Sequence, residues 1–328
     1  MQNTVLAAPL ESAPLEPAPL EPAPLGLVDA GTMPALRLIP DPAGLFRRDY
    51  NRSSFMFPHG LGDHPMFNLP GMVELAGRLP QTDEFVYWSN GSVGVTARWE
   101  HGKAEKYSLQ DTIRNIATNN SIVILKHTEQ DPVVGQLLRD FLGRVVDLSG
   151  PGMRDDVIVG EALILIASPN RVTSYHIDAE ANFLVQIKGD KTLNVFNPED
   201  RTLITDNELE RFHAGDYNGA VYKPERQDDA QTYDLRAGYG VHIPVGAPHW
   251  VQNGDNVSIA LSINYELRSV HRSSRIYRIN RRLRRFGISP VAPGVSWWRD
   301  RLKLAMAYGV FGRNAPAPPS HGVWTPTA

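Results

Sequence analysis

Short apolar runs, separated by turn-forming residues, dominate the chain from about residue 157 to residue 267. Runs of this length that alternate with polar positions predict β-strands, and no helical periodicity lies between them. Many short strands predict an antiparallel sandwich or barrel rather than a parallel α/β sheet. The predicted strands are Ile158–Ala167, Val172–His176, Asn182–Lys188, Lys191–Phe196, Gly219–Tyr222, Thr232–Asp234, Gly240–Pro244, Trp250–Gln252 and Val257–Tyr265.

The predicted fold class is therefore mainly β with flanking helices, built on a double-stranded β-helix, or jelly roll. We place this barrel at residues 151–268. Residues 35–150 form an α/β flank in this interpretation. Within it, Ser108 followed by Asp111 predicts one helix start, and Asp131 followed by Pro132 predicts another. A strand is predicted at Ser121–Lys126, and a hairpin at Phe85–Trp99.

Two amphipathic basic segments follow the barrel, within residues 269–312. In the first, Ile276, Ile279, Leu283 and Phe286 recur at helical spacing, and most of the polar positions are arginine. The second, Ser296–Tyr308, contains two adjacent tryptophans. Such helices can pair in a homodimer or pack on the barrel. Arginine-rich helices can also bind nucleic acid or an acidic partner, so the alternatives remain open.

The two ends of the chain have a different composition. Residues 8–25 repeat an Ala-Pro-Leu-Glu unit, so residues 1–34 are predicted to be a disordered proline-rich tail. Three roles are open for this tail: a tether, a docking peptide or a dispensable extension. Residues 313–328 are also proline-rich and are predicted to fray. The N-terminus is a poor signal peptide and no run suits a membrane span, so we expect a cytoplasmic location.

The composition limits the partners and the metal-ligand types that the chain can have. The net charge of -3 implies no overall attraction to nucleic acid or anionic lipid, so a nucleic-acid partner is not expected and a membrane partner is excluded. The chain has no cysteine, which excludes disulfides, thiolate nucleophiles and cysteine-bound metals. Histidine, aspartate and glutamate remain as the metal-ligand types.

Three such residues are spaced as a metal site. His176 and Asp178 are two residues apart in a strand-like run, where side chains at this spacing share a face. His249 lies in a second strand-like run. Two imidazoles and one carboxylate on one side of a metal form the facial triad of non-haem Fe(II) oxygenases. His242 is a rival ligand, which we interpret as structural.

Two further polar residues lie in apolar surroundings. Lys191 belongs to a predicted strand, where a buried ammonium needs an anionic partner such as a carboxylate. Lys188 is the alternative candidate for a buried lysine that binds an anion. Asn264 lies between apolar residues, and its amide, once buried, must find partners. Each of these residues can also be explained without a ligand, by exposure of Lys191 to solvent or by structural hydrogen bonds of Asn264.

The sequence HIDAEANFLVQIKGDKTLNVFNPED, followed by IPVGAPHW and SINYEL, resembles the Jumonji-C (JmjC) family of Fe(II)/2-oxoglutarate oxygenases, which have cupin-like barrels. The similarity covers about 110 residues, and it is greatest to the branch that contains the asparaginyl hydroxylase of hypoxia-inducible factor. The resemblance implies that the iron ligands are His176, Asp178 and His249. It also implies that the residues around 2-oxoglutarate are Thr173, Asn182, Lys191 and Asn264.

The resemblance implies a dioxygenase that couples decarboxylation of 2-oxoglutarate, with O2, to oxidation of a C–H bond. We expect a hydroxylase of a protein, peptide or small molecule. The family often has an aromatic pair before the distal histidine, where this chain has Ala247 and Pro248, so the substrate is not carried over. One alternative is a non-catalytic cupin-like module that binds a partner through its C-terminal basic helices. Another is a cupin enzyme that uses a different metal without 2-oxoglutarate.

Overall fold

The computed structural model describes residues 41, 44–62, 64–98 and 107–310. The predictions for the tails at residues 1–34 and 313–328 lie outside the described residues. No helix in the described ranges is long and apolar enough to cross a membrane.

Two antiparallel sheets form the centre of the protein, so the predicted mainly β, jelly-roll fold is confirmed. The larger sheet has the order β1-β9-β6-β11-β4-β3-β2, and the smaller sheet has the order β5-β10-β7-β8. In chain order the strands are β1 Phe55–Pro58, β2 Val86–Asn90, β3 Ser121–Leu125, β4 Val157–Ala167, β5 Val172–His176, β6 Ala181–Lys188, β7 Asp190–Val195, β8 Gln231–Arg236, β9 Tyr239–Ile243, β10 His249–Asn253 and β11 Ser258–Leu267.

Eight α-helices flank these sheets in the described ranges. They are α1 Leu45–Asp49, α2 Leu69–Arg78, α3 Leu109–Arg114, α4 Pro132–Ser149, α5 Pro151–Asp156, α6 Asp206–His213, α7 Arg268–Arg285 and α8 Trp297–Val310. Both predicted helix starts are confirmed. Ser108 caps α3 by accepting the backbone N–H of Asp111, and Asp131 caps α4 by accepting those of Val133 and Val134.

The larger sheet has a different core on each face. Its inner face packs against the smaller sheet through an aliphatic cluster that includes Leu184 and Val241 from one sheet and Leu193 and Val251 from the other. Its outer face carries an aromatic cluster in which Phe183 contacts Phe46, Phe57 and Phe141. Because side chains alternate along a strand, one strand can supply both cores, as β6 does with Leu184 on the inner face and Phe183 on the outer face.

Three predictions of local structure are wrong. Val86–Asn90 does not turn back as a hairpin but pairs with Ser121–Leu125. Gly219–Tyr222 is not a strand. A helix, α6, interrupts the run of strands, and it begins with a capping box in which Thr205 and Glu208 satisfy each other's backbone N–H groups. That Thr-x-x-Glu spacing was a local signal for the helix.

The basic segment after the barrel forms the two predicted helices. α7 packs against α6 with Ile276 and Ile279 buried. The guanidinium of Arg284 donates two hydrogen bonds to the carboxylate of Glu210. Phe286, which the periodicity assigned to the same apolar face, lies beyond the end of α7 and is exposed. α8 then packs on α7.

Candidate metal centre

His176, Asp178 and His249 lie close together at one end of the smaller sheet. Their candidate ligand atoms are all within 4.8 Å of one another, an arrangement that could hold a metal ion. Nε2 of His249 is 3.6 Å from Oδ2 of Asp178, and Nε2 of His176 is 4.0 Å from Oδ1. The two imidazoles meet because His176 and His249 are directly paired residues of β5 and β10.

Backbone carbonyls orient both imidazoles. Nδ1 of His176 lies 2.7 Å from the carbonyl of Ser174, and Nδ1 of His249 lies 3.0 Å from that of Ala247. If Nδ1 donates in each ring, the Nε2 lone pair faces Asp178, which is the tautomer that a metal requires. Burial and the neighbouring His176 both lower the pKa of His249, so this imidazole is neutral, as a ligand must be.

Asp178 lies in a loop, whereas the sequence pattern placed it in the same strand-like run as His176. β5 ends at His176, so Asp178 lies in the connection to β6 and the shared-face argument for a strand does not apply. Its backbone carbonyl accepts the N–H of Gly246, 2.9 Å away, in the loop that leads to His249. This backbone contact joins the two loops and helps to place the carboxylate between the histidines.

A cavity of about 480 Å³ opens from the triad into the space between the two sheets. This volume lies in the range of small-molecule sites. Aliphatic side chains such as Leu163, Leu165 and Val251 form much of its wall. The four sequence-predicted residues around the triad, Thr173, Asn182, Lys191 and Asn264, all line this same cavity.

Lys191 is the most unusual residue of the cavity. It is only 5% exposed, and it has no hydrogen bond or ion pair with any of the described residues. Burial lowers its pKa to about 8. A buried ammonium without an anion is costly, so this side chain is poised for an anionic ligand. Lys188, the competing lysine, is exposed and lies outside the cavity.

Asn182 and Asn264 are cross-strand neighbours on β6 and β11. Nδ2 of Asn182 donates to Oδ1 of Asn264 at 2.6 Å and to Oγ of Ser262 at 2.7 Å. Oδ1 of Asn182 is buried and accepts no hydrogen bond from any described residue. The amide is therefore held rigidly, with one acceptor left for a ligand or water.

His242 does not join the triad, as predicted. It is fully buried on the outer face of the larger sheet, in contact with Phe183. Nε2 accepts the backbone N–H of Asn51, and Nδ1 lies 3.1 Å from the carbonyl of Asn182. Both ring nitrogens are thus satisfied. Burial lowers the pKa of His242 to about 3, so this imidazole stays neutral.

No protein-family model matches the chain, and no curated protein matches it by sequence. Among solved structures, the chain is similar to Escherichia coli YcfD. One YcfD structure has a TM-score of 0.50 at 15% identity, with 88% of this chain and 70% of that chain covered. A second, described as the ribosomal oxygenase YcfD, has a TM-score of 0.47 at 15% identity and 87% and 69% coverage. A third contains cobalt and 2-oxoglutarate, with a TM-score of 0.46 at 14% identity and coverage of 87% and 69%. The similarity shows the fold.

Ser262, Glu180 and Glu161 are among the polar residues of the cavity that were not predicted from the sequence. Ser262 accepts a hydrogen bond from Asn182. A local signal for its position was present in the sequence, since Ser262 and Asn264 are polar residues at alternate positions of an apolar strand. Glu180 lines the cavity beside the triad, where burial and the charge of Asp178 raise its pKa to about 8. Glu161 lies one strand further, opposite Asn264. Nothing local distinguishes these two glutamates from surface residues.

Proposed function

We propose that the protein is an Fe(II)- and 2-oxoglutarate-dependent oxygenase, and specifically a hydroxylase of a protein, peptide or small molecule. One observation carries the proposal: a His-Asp-His cluster and a buried lysine, which has no anionic partner among the described residues, line the same cavity. The first suits a divalent metal, and the second suits a carboxylate. 2-Oxoglutarate joins the two requirements because it offers a metal-chelating end and a distal carboxylate.

The metal would be held by His176, Asp178 and His249. Their donor set, two imidazoles and one carboxylate without thiolate, fits Fe(II), and three protein ligands leave other positions open. When bound, iron supplies the activation of O2 that oxidises the cosubstrate and then a substrate C–H bond. The contribution of the chain is to hold the ligands in place and to keep the reaction within a shielded cavity.

The cosubstrate would be bound by residues further along the cavity. Lys191 would pair with the distal carboxylate, and the hydroxyl of Thr173 would donate a hydrogen bond to the same group. Asn182 and Asn264 would line the cavity between this end and the metal. Lys191 and Thr173 lie on β7 and β5, on either side of β10, so both can approach one ligand from the smaller sheet.

The similarity to YcfD is consistent with this proposal, since that protein is described as a ribosomal oxygenase and has been solved with cobalt and 2-oxoglutarate. We therefore favour a protein or peptide substrate. The relation to the asparaginyl-hydroxylase branch and the cytoplasmic location remain predictions. We expect neither nucleic acid nor a membrane as partner.

The test is conversion of 2-oxoglutarate to succinate by the purified protein with Fe(II) and ascorbate, in air and without oxygen. We expect succinate in air only, even without the prime substrate, because uncoupled turnover needs only the cosubstrates. His176→Ala should abolish it. Metal binding is measured in parallel by titration calorimetry with Mn(II), so that loss of the metal is separated from loss of the chemistry.

The second arm uses the two lysines. Lys191→Met should raise the 2-oxoglutarate concentration needed for half-maximal succinate formation at least tenfold, with metal affinity unchanged, because a charge-assisted contact contributes about 1.5–3 kcal/mol. Lys188→Met is the matched control and should behave as wild type. Succinate formation that survives in His176→Ala would refute the metal assignment. An unchanged 2-oxoglutarate requirement in Lys191→Met would remove that residue from the site.

A further inference from the structure

The arginines of α7 recur at helical spacing. Six of them are separated by steps of four, three, three, four and three residues, which keeps their side chains within an arc of about 140° at 100° per residue. Along the helix axis they span about 25 Å, at 1.5 Å per residue. Four of the six are exposed and the other two are half-buried. We call this set the α7 arginine stripe: Arg268, Arg272, Arg275, Arg278, Arg282 and Arg285.

The side chains that hold α7 against α6 lie outside the stripe. Tyr277 is buried in a cluster with Leu209 and Phe212 of α6. Arg284, which is not part of the stripe, donates hydrogen bonds of 2.7 and 2.9 Å to the buried carboxylate of Glu210. These contacts explain how the helix is attached, and they leave the stripe without a role in that attachment to α6.

The stripe lacks the carboxylate contacts that arginines elsewhere in the protein have. Arg78, for example, pairs with Asp131 at 2.6 Å. Arg272, Arg278 and Arg285, by contrast, form no hydrogen bond or ion pair with any of the described residues. Half of the stripe therefore has its positive charge balanced only by solvent and salt.

The charges of the stripe repel one another. Burial and the neighbouring Arg275 and Arg282 lower the pKa of Arg278, which means that its charged form is disfavoured in this environment. No acidic residue occurs between Glu266 and Asp300 to relieve this repulsion from within the segment. Like charges one turn apart weaken a helix, so an unbalanced row of them is expected where a partner supplies the opposite charge.

The stripe is a local positive patch on an acidic protein. α7 has eight arginines and no acidic residue, whereas the whole chain has a net charge of -3. Removing eight positive charges from -3 leaves a net charge of -11 for the rest of the chain. A long polyanion such as RNA would extend past the stripe and meet this negative field. A short acidic segment can match the stripe alone.

We propose that the α7 arginine stripe binds an acidic segment of a partner protein, rich in glutamate and aspartate. Arginine suits this partner because its planar guanidinium can donate two parallel hydrogen bonds to one carboxylate, which the ammonium of lysine cannot. An extended segment of eight residues covers about 26 Å, which is the length of the stripe. The proposal goes beyond the oxygenase function and does not depend on it.

The test is fluorescence anisotropy of a labelled octaglutamate peptide, titrated with the full-length protein at about 50 mM and about 200 mM salt. We expect binding at the lower salt concentration that weakens severalfold at the higher one, because salt screens contacts between exposed charges. The triple variant Arg272→Gln, Arg278→Gln, Arg285→Gln should weaken binding about tenfold, since each exposed ion pair contributes about two- to threefold. Glutamine is a good helix former, so α7 should be preserved.

The matched control is the triple variant Arg47→Gln, Arg114→Gln, Arg236→Gln, which removes three positive charges from exposed sites outside α7. It has the same net charge as the stripe variant and should bind as wild type. If the stripe variant shows altered circular dichroism, the double variant Arg272→Gln, Arg285→Gln replaces it, because both side chains are exposed.

Three results would overturn the proposal. The first is no anisotropy change with octaglutamate at about 100 μM protein in the lower salt. The second is an equal loss of binding in the control variant, which would show that net charge alone is responsible. The third is binding of a nine-nucleotide oligouridylate, whose eight phosphates match the charges of the peptide, more than tenfold tighter than octaglutamate. That result would assign the stripe to nucleic acid instead.

Discussion

Replacing Lys191 by methionine should stabilise the protein in the absence of ligand while weakening its response to 2-oxoglutarate. The ammonium lies between the two sheets with no anionic partner among the described residues. Methionine has similar length and no charge, so it can occupy the same space without the desolvation cost. A residue that destabilises the fold but is needed for a ligand is expected at a functional site.

The magnitude follows from the pKa of Lys191. Burial lowers it from 10.5 to about 8, which corresponds to roughly 3 kcal/mol of destabilisation at pH 7. Methionine removes this electrostatic destabilisation, although imperfect packing of the new side chain cancels part of the gain in stability. We expect the free energy of unfolding of Lys191→Met to exceed that of wild type by about 1–3 kcal/mol at pH 7.

The difference should depend on pH with a defined sign. Between pH 8 and pH 10.5 the unfolded wild-type chain holds a proton on Lys191 that the folded chain has released. Wild-type stability contributed by this group therefore rises with pH across that window. The advantage of Lys191→Met should be complete below pH 8 and should fade as the pH approaches 10.5.

Urea unfolding, followed by circular dichroism, measures these differences. Lys188→Met is the control, since Lys188 is exposed and its replacement should change the free energy by less than about 0.5 kcal/mol. With Mn(II) present, 2-oxoglutarate at about 100 times its dissociation constant should stabilise wild type by about 2.7 kcal/mol and Lys191→Met far less. A ligand-free Lys191→Met protein that is no more stable than wild type would refute the assignment of Lys191 as an uncompensated buried charge.

Other residues give independent tests. His249→Ala should lose the stabilisation by Mn(II) in a thermal melt, whereas His242→Gln should keep it, since His242 lies on the outer face of the larger sheet. Burial lowers the pKa of His242 to about 3, so the unfolded chain takes up a proton below pH 6.5 that the folded chain does not. From pH 7 to pH 5, the free energy of unfolding of wild type should therefore fall by about 2 kcal/mol more than that of His242→Gln, as measured by urea titration at both values. Thr205→Ala should lower the free energy of unfolding by about 1 kcal/mol through loss of the capping box of α6, and an unchanged urea midpoint would contradict this role.

Signals within a few residues were enough to predict several elements correctly. The caps at Ser108 and Asp131 depend on hydrogen bonds to backbone groups two or three residues away, so the sequence contains both partners. The same type of signal, at Thr205 and Glu208, marked α6, but it lay within a series of predicted strands. The failed hairpin at Val86–Asn90 has another cause: the strand pairs with Ser121–Leu125, and that choice depends on a long loop closure.

In the candidate metal centre, too, some features follow from the sequence and others depend on the tertiary structure. The His176, Asp178 and His249 motif and the candidate Lys191 were recognisable in the sequence, because residue type and spacing limit which chemistry is possible. The separation of His249 from His242 was decided by the tertiary structure, since strand alternation says that Ile243 and His242 face opposite ways but not which face the second sheet covers. The same holds for the placement of Glu161 and Glu180 at the cavity. Burial and the approach of distant strands are properties of the packed chain, and they alone separate a buried ligand-binding side chain from a solvated one.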